Sequence, residues 1–423
     1  MASHEVQKSV LPGGLTLLSQ AMPDRRSVSL GLWVRTGSRD ESVPGMAHFT
    51  EHMMFKGTES RDAKAIAASL ESLGGHLDAF TTREQVVYTA RALSEHLPQT
   101  IEVLSDLTGR SRFDSPEIER EKSVVKEEIL SYEDNPEERV GDQLSEQMWG
   151  SHPLGMPILG TAASVDGFTR DALIEEVSRR YRGDQMVLAV AGGLDHAELA
   201  GLVTRWFTPP DGPSPDPSTS PADVAPVVRQ TVDDVQQMHL SLGTRAICYT
   251  DPRRPALIVL ETLLGGGMSS RLFQAIREDA GLAYSVFSSI DTLRDVGMLT
   301  IHMGVSPDKG RKALQLLRDE LNRLMDDGPT DEEVASAQMQ LKGSVTISQE
   351  SVSSRMYHMA RQELYTGRYL PPEAQVERVL AVTRDDVTTL AREFLRPERF
   401  TLAAIGPETD GALRDEDWPT TAS

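Results

Sequence analysis

A chain of 423 residues is too long for one small core and long enough for two domains of about 200. It is 39% hydrophobic and 25% charged, an ordinary globular balance, with no run near the roughly 18 apolar residues of a membrane span. The net charge of −21 argues against a nucleic-acid or anionic-membrane partner, which needs a basic face, and leaves two readings: plain solubility, or an acidic cavity that attracts basic peptides.

The opening MASHEVQKSVLPGG lacks the basic-then-apolar pattern of a secretory signal, so a cytoplasmic chain is expected. The single cysteine, Cys248, fits a reducing compartment. In chain order, VSLGLWVRTG reads as a buried strand, followed by helices near 45–55 and 62–73 and strands at 76–81 and 84–93. Helices are expected at 94–109, 116–133 and 136–148. Residues 209–226, PPDGPSPDPSTSPADVAP, have no periodicity and read as a linker at the midpoint.

The second half follows a similar order: strand 237–245, helices 253–264 and 269–279, strands 284–291 and 297–304, then a run of helices. FTRDALIEEVSRRYRGDQMVLAVAG (168–192) aligns without gaps on VTRDDVTTLAREFLRPERFTLAAIG (382–406), and Ser29-Leu30-Gly31 matches Ser241-Leu242-Gly243 at nearly the same offset. The expectation is therefore an α+β fold of two homologous tandem domains, 1–208 and 227–423, each a mainly antiparallel sheet packed with helices.

HFTEH (48–52) carries the chemistry. Pro44 and Gly45 start a helix and Gly57 ends it, so His48 and His52, one turn apart, share a face. Two such imidazoles can hold one zinc, with Glu51 reaching a water beside it; the bland alternative is two unrelated histidines on an amphipathic helix. A catalytic zinc takes a third protein ligand. The helix begun by Asp114-Ser115-Pro116-Glu117 offers Glu121 and Glu128, which flank Val124 and Val125 on a stripe that reads as core-facing.

These residues resemble the inverzincin peptidases of the pitrilysin type, in the branch of the mitochondrial processing peptidase and its bacterial relatives, whose HxxEH inverts HExxH. The resemblance covers nearly the whole chain. It implies His48, His52 and Glu128 as zinc ligands, since the family's third ligand is a glutamate about 76 residues after the second histidine. It implies Glu51 as general base and Glu121 as a supporting glutamate. GGHLDAFTTREQVVYTARAL (74–93) is similar to the family's edge strand, where substrate adds as a further strand; Asp78-Ala79 stands where the family usually has Asn-Ala.

LLGGGMSSRLFQAIREDAGLAYSV (263–286) is similar to the family's glycine-rich loop, here Gly265, Gly266 and Gly267, and its arginine–tyrosine pair, Arg277 and Tyr284. No lysine of a phosphate loop follows those glycines, so nucleotide binding is not expected. The bland reading of Arg277 and Tyr284 is a helix-end ion pair and a packed aromatic. Phe55 matches a pocket position, and Glu138 and Asp142 match acids that read basic residues near the cut; each can equally be core or an acidic helix face. His48, Glu51 and His52 fall on Leu260, Leu263 and Leu264 in the repeat, so one zinc per chain is expected.

The implied activity is zinc-dependent cleavage of short or unfolded peptides in a closed chamber. The implied assembly is a homodimer whose partner chain supplies Arg277 and Tyr284, with a heterodimer containing a degenerate homologue as the other arrangement. The competing class is a catalytically silent structural subunit of the same superfamily.

Overall fold

The computed structural model describes residues 5–210, 215, 217–407, 413 and 417–419. Of the linker, residues 211–214 and 216 lie outside the described residues. The first half runs β1 (Val6–Val10), β2 (Thr16–Ala21), β3 (Ser27–Val34), α1 (Met46–Met54), α2 (Ala63–Glu71), β4 (His76–Thr81) and β5 (Val86–Leu93). It continues with α3 (Leu97–Gly109), α4 (Ser115–Glu133), α5 (Pro136–Trp149), α6 (Ala162–Asp166), α7 (Arg170–Arg180), β6 (Met186–Gly192) and α8 (His196–Trp206). The second half runs β7 (Val228–Val232), β8 (Met238–Ala246), α9 (Arg254–Gly265), β9 (Ala283–Thr292), β10 (Gly297–Val305), α10 (Gly310–Asp327), α11 (Asp331–Ser348), α12 (Val352–Thr366), α13 (Pro372–Leu380), α14 (Arg384–Phe394) and β11 (Thr401–Gly406).

The class is α+β. One sheet has the order β1-β2-β6-β3-β5-β4 and the other β7-β11-β8-β10-β9. Pairing is antiparallel throughout except β2 with β6 and β7 with β11. The repeated helix-strand unit is α7–β6 in one half and α14–β11 in the other. Thr169 and Thr383 cap the two helices through their hydroxyls, and β6 and β11 are fully buried. The strands β1, β2 and β7 are additions to the expected elements. Their patterns, such as VQKSV, are short and half polar, and edge or near-edge placement asks for no long apolar run. Among the described residues no helix is long and apolar enough to cross a membrane.

The chain forms two compact units that exchange helices. Unit 1 comprises Met1–Leu130, Met156–Thr219 and Ile347–Leu370; unit 2 comprises Ser131–Gly155, Ser220–Thr346 and Pro371–Ser423. Each sheet has one face covered by helices of its own half: Leu30, Leu32, Val86 and Leu188 meet α1 and α3 in unit 1, and Leu240, Leu242, Leu299 and Ile301 meet α9 and α10 in unit 2. The opposite faces take the exchanged helices. In unit 1, Met356, Met359 and Ala360 of α12 pack on Leu18, Trp33, Val87, Val187, Ala189 and Ala191. In unit 2, Val140, Leu144, Met148 and Trp149 of α5 pack with Ala403, Ile405, Leu293 and Val296. Each fully buried methionine or leucine there contributes about 1.5–3 kcal/mol of transfer free energy.

This exchange gives a test. Residues 1–208 expressed alone keep their own helices but leave the Trp33–Val87–Val187 face bare. The expected result is a fragment that aggregates or binds a hydrophobic dye, and that gains protection of β3 and β6 in hydrogen exchange when a peptide of residues 347–370 is added. A fragment equally protected without the peptide would show that α12 contributes nothing to that sheet.

Candidate metal centre

The site is built on α1 and α4, with the edge strand β4 alongside. Gly45 caps α1 in the left-handed region at φ 86, and a Cβ there would lie 2.6 Å from the carbonyl of Leu159, so only glycine fits. Glu41, which the sequence reading passed over, receives the amides of Gly45 at 2.7 Å and Ala47 at 2.8 Å. It thereby satisfies two orphan donors of the helix start. Burial pushes its carboxyl up to about 8, against the pull of those two bonds.

His48 and His52 sit one turn apart with ring centroids 4.5 Å apart. The Nε2 atoms of His48 and His52 lie 3.7 and 3.6 Å from the two carboxylate oxygens of Glu128. One donor atom from each of the three residues falls within 4.8 Å of the others. Those separations are too long for hydrogen bonds and close to the roughly 3.4 Å between donors of one tetrahedral zinc. His48 is only 7% exposed, and burial together with the neighbouring His52 lowers its pKa to about 3. It is therefore neutral at physiological pH, the state in which an imidazole ligates. The donor set, two neutral-capable imidazoles and a carboxylate, fits zinc.

Glu121 orients the pair. Its Oε1 is 2.8 Å from His52 Nδ1, and its Oε2 is 2.6 Å from Lys56 Nζ. Donation from Nδ1 leaves His52 Nε2 turned toward Glu128 with its lone pair available. Burial opposes charge on His52, but the Glu121 bond and the charges of Glu121, Glu128 and Glu51 outweigh it and raise the pKa. Burial likewise works against the Glu121 carboxylate, and its bonds to His52 and Lys56 override that and hold it below the usual range. Lys56 stands four residues after His52, a spacing that could have flagged it.

Glu51 is 7% exposed and accepts a hydrogen bond of 2.5 Å from Thr81 Oγ1 at the end of β4. Burial pushes its carboxyl up to about 7; Thr81 and His52 oppose the shift, and Glu128 and Asp78 add to it. β4 is the outer strand of its sheet. Ala79 faces the core, whereas Asp78 is exposed and its carboxylate receives the amide of Ala79 at 2.9 Å. Phe55 ends α1, half-buried, with its ring 6.4 Å from that of Tyr88.

One expectation needs correction. Val124 is 50% exposed, while Ile118, Glu121, Val125 and Ile129 form the buried line of α4. The i, i+3/i+4 steps centre that line on Glu121 and Val125, so Val124 and Glu128 fall on its rim. That position is what leaves the Glu128 side chain 43% exposed and open to a ligand.

The remaining expected residues lie in unit 2. Arg277 belongs to a π-helical segment, Phe273–Asp279, and its guanidinium lies 4.7 Å from the Phe273 ring and 5.9 Å from that of Tyr284. Tyr284 is 75% exposed, so it is not a packed aromatic. Gly265 closes α9; a Cβ on it would meet the Ser288 amide at 2.4 Å, and one on Gly266 the Cα of Thr262 at 2.7 Å. Gly267 has no such neighbour. Glu138 is exposed and Asp142 half-buried, one turn apart on α5. Leu260, Leu263 and Leu264 are buried in α9, where the repeat of α1 has apolar side chains in place of donors.

With this geometry in view, comparison with known proteins is decisive. The family described as Insulinase (Peptidase family M16) matches residues 16–162, and the Peptidase M16 inactive domain matches residues 167–341. An uncharacterized zinc protease of Mycobacterium leprae is 37% identical over 412 residues, covering 96% of this chain and 92% of that one.

The chain belongs to peptidase family M16.

The uncharacterized zinc protease YmxG of Bacillus subtilis is 36% identical over 404 residues, covering 95% of this chain and 98% of its own. Two solved structures share the fold over the full length. The peptidase M16 inactive domain from Pseudomonas fluorescens superposes with a TM-score of 0.90 at 22% identity, covering 96% of this chain and 98% of that chain. A protease from Helicobacter pylori gives 0.89 at 19%, covering 95% and 99%.

Replacing Glu121 by Gln keeps the shape of the side chain and removes the charge that orients His52. Zinc affinity, measured by competition with a chromophoric chelator, is expected to fall about 10–100-fold. Unchanged affinity would show that Glu121 does no more than neutralise Lys56.

Proposed function

We propose that the protein is a zinc-dependent endopeptidase with His48, His52 and Glu128 as the metal ligands and Glu51 as the general base. The carrying observation is the trio itself: two imidazole nitrogens converging on one carboxylate at 3.6 and 3.7 Å, with a buried carboxylate on the same helical turn. Membership of a peptidase family and relatives described as zinc proteases support the reading.

Zinc, when bound, supplies the Lewis acidity that makes water a nucleophile near neutral pH and polarises the scissile carbonyl. Glu51, poised near pH 7 and steered by Thr81, takes the proton of the attacking water and returns it to the leaving amine. The open edge of β4, with Asp78 and Ala79, pairs with the main chain of an extended peptide, which limits substrates to short or unfolded segments. Phe55 lines the pocket for the residue after the cut. Arg277 and Tyr284, an exposed cation and phenol in contact, clamp the substrate and stabilise developing negative charge, with the glycine-rich loop beside them. Following the family resemblance, the working unit is a homodimer holding one catalytic zinc per chain, in which these groups act at the partner's zinc. Glu138 and Asp142 select basic residues near the cut.

The deciding experiment is cleavage of a quenched basic peptide by purified protein with and without chelator. Glu51→Gln is expected to retain zinc and lose about 10²–10⁴-fold in kcat. A fully zinc-loaded protein that cleaves no peptide would instead establish a silent subunit. Specificity has its own test, cleavage-site profiling on a peptide library. Arg enrichment near the cut should disappear in the Glu138→Gln/Asp142→Asn variant, and indifference to charge in the unaltered protein would remove those two residues from recognition.

A further inference from the structure

The second half has leucines where the first half has metal donors, yet it holds a different cluster of its own. His239 on β8, His302 on β10 and Glu137 in the first turn of α5 each bring one donor atom within 4.8 Å of the others. All three belong to unit 2. β8 and β10 are adjacent antiparallel strands, with His239 opposite Gly304 and His302 opposite Ser241. Gly304 stands two positions along the strand from His302, so the two histidines share a face of the sheet. It is the face that α5 covers, since Ser241 and His239 also stand opposite Ala403 and Ile405, which pack with α5.

We propose that His239, His302 and Glu137 form a second metal site, for a divalent transition-metal ion of the zinc class, that clips α5 onto the sheet of unit 2. Three observations carry it. His302 is only 6% exposed, and its Nε2 is buried with no hydrogen-bond partner; the Nδ1 of His239 is buried and unpartnered as well. Buried ring nitrogens are nearly always satisfied, so two orphans in a cluster that also holds a carboxylate point to an occupant. The His302 Nε2–Glu137 Oε1 separation is 3.8 Å, beyond a hydrogen bond and only slightly longer than the 3.6 and 3.7 Å of the first trio. The Glu137 side chain is 53% exposed, so its carboxylate can close that small difference by rotation. Two imidazoles and a carboxylate form a set that zinc accepts with one coordination position left for water. The ring centroids are 6.0 Å apart, which allows both rings to reach one ion from neighbouring strands.

The consequence is mechanical. Glu137 belongs to a helix encoded in the first half, and the two histidines to a sheet encoded in the second. A metal bridge would fix the first turn of α5, and with it the orientation of Glu138 on the next position. The site stands independently of the peptidase reading.

The test uses the full-length protein, stripped with chelator and titrated with zinc alone, with bound metal counted by mass spectrometry and geometry followed by cobalt(II) absorption. Two equivalents are expected for the unaltered chain, and one for the His48→Ala/His52→Ala variant. Combining that variant with His302→Gln should abolish binding. Because His302 is buried, Glu137→Gln provides a second route that leaves the core untouched. Added to the His48→Ala/His52→Ala background, it should weaken the remaining equivalent at least tenfold while the metal-free circular dichroism stays the same. A His48→Ala/His52→Ala variant that binds no zinc would overturn the proposal, as would a remaining equivalent indifferent to Glu137→Gln. Neither result bears on whether the first trio hydrolyses peptides, which the chelator and Glu51→Gln experiments decide separately.

Discussion

The geometry around α1 depends on one buried carboxylate. Glu121 is 3% exposed, and an unpaired charge at that depth costs several kcal/mol. It is retained because His52 Nδ1 and Lys56 Nζ both bond to it, one to each oxygen. The pairing fixes more than Glu121 itself. It sets the rotation of the His52 ring and locks α4 against α1 at a single point. Two turns further along α4, about 10 Å of rise, Glu128 then arrives opposite both Nε2 atoms. The His52 ring thus spans two carboxylates of one helix, bonded to the near one and facing the far one. The three-residue centre is thus braced by one buried carboxylate bonded to both His52 and Lys56.

Much of this was legible in sequence because it is periodic. A four-residue step puts His48 and His52 on one helical face whatever the tertiary structure, and Asp114-Ser115-Pro116 announces the start of α4. The repeat of 168–192 in 382–406 gave two helices and two strands at matching positions. Glu128, by contrast, came from the family resemblance. Spacing along α4 alone offered Glu121 and Glu128 equally, and the stripe drawn between them included Val124, which proves exposed. The two glutamates differ by which side of the buried line they occupy, and that depends on where α1 packs. Glu41 and Thr81 were invisible for the same reason. A loop carboxylate that caps a helix and a strand-end hydroxyl that steers a base are tertiary contacts, carrying no local period.

The exchanged helices show the same limit at larger scale. The helix expected over 136–148 is present as α5, but its sequence does not name the sheet that receives Val140, Leu144 and Met148. The midpoint linker suggests a clean cut between two domains. Instead each sheet has one face covered by its own half and the other by a helix from the opposite half. The apolar content of each half is therefore matched to a surface that the same half does not complete.

The two halves fill the corresponding helix differently. In unit 1 the helix after the buried strand carries the donors, and its buried face must accommodate His48 and Glu51 beside Phe49 and Met53. In unit 2 the equivalent helix carries Leu260, Leu263 and Leu264 at those three positions, which need no counter-charge. Unit 2 also carries a polar pair on the other face of its sheet, where His239 and His302 meet α5. The covering there comes from a helix entering at its N-terminal turn, and it leaves polar atoms buried at the margin instead of a closed apolar layer. One fold thus presents two kinds of internal polar cluster, one on its helical face and one under an imported helix. The difference follows from which half supplies the covering element.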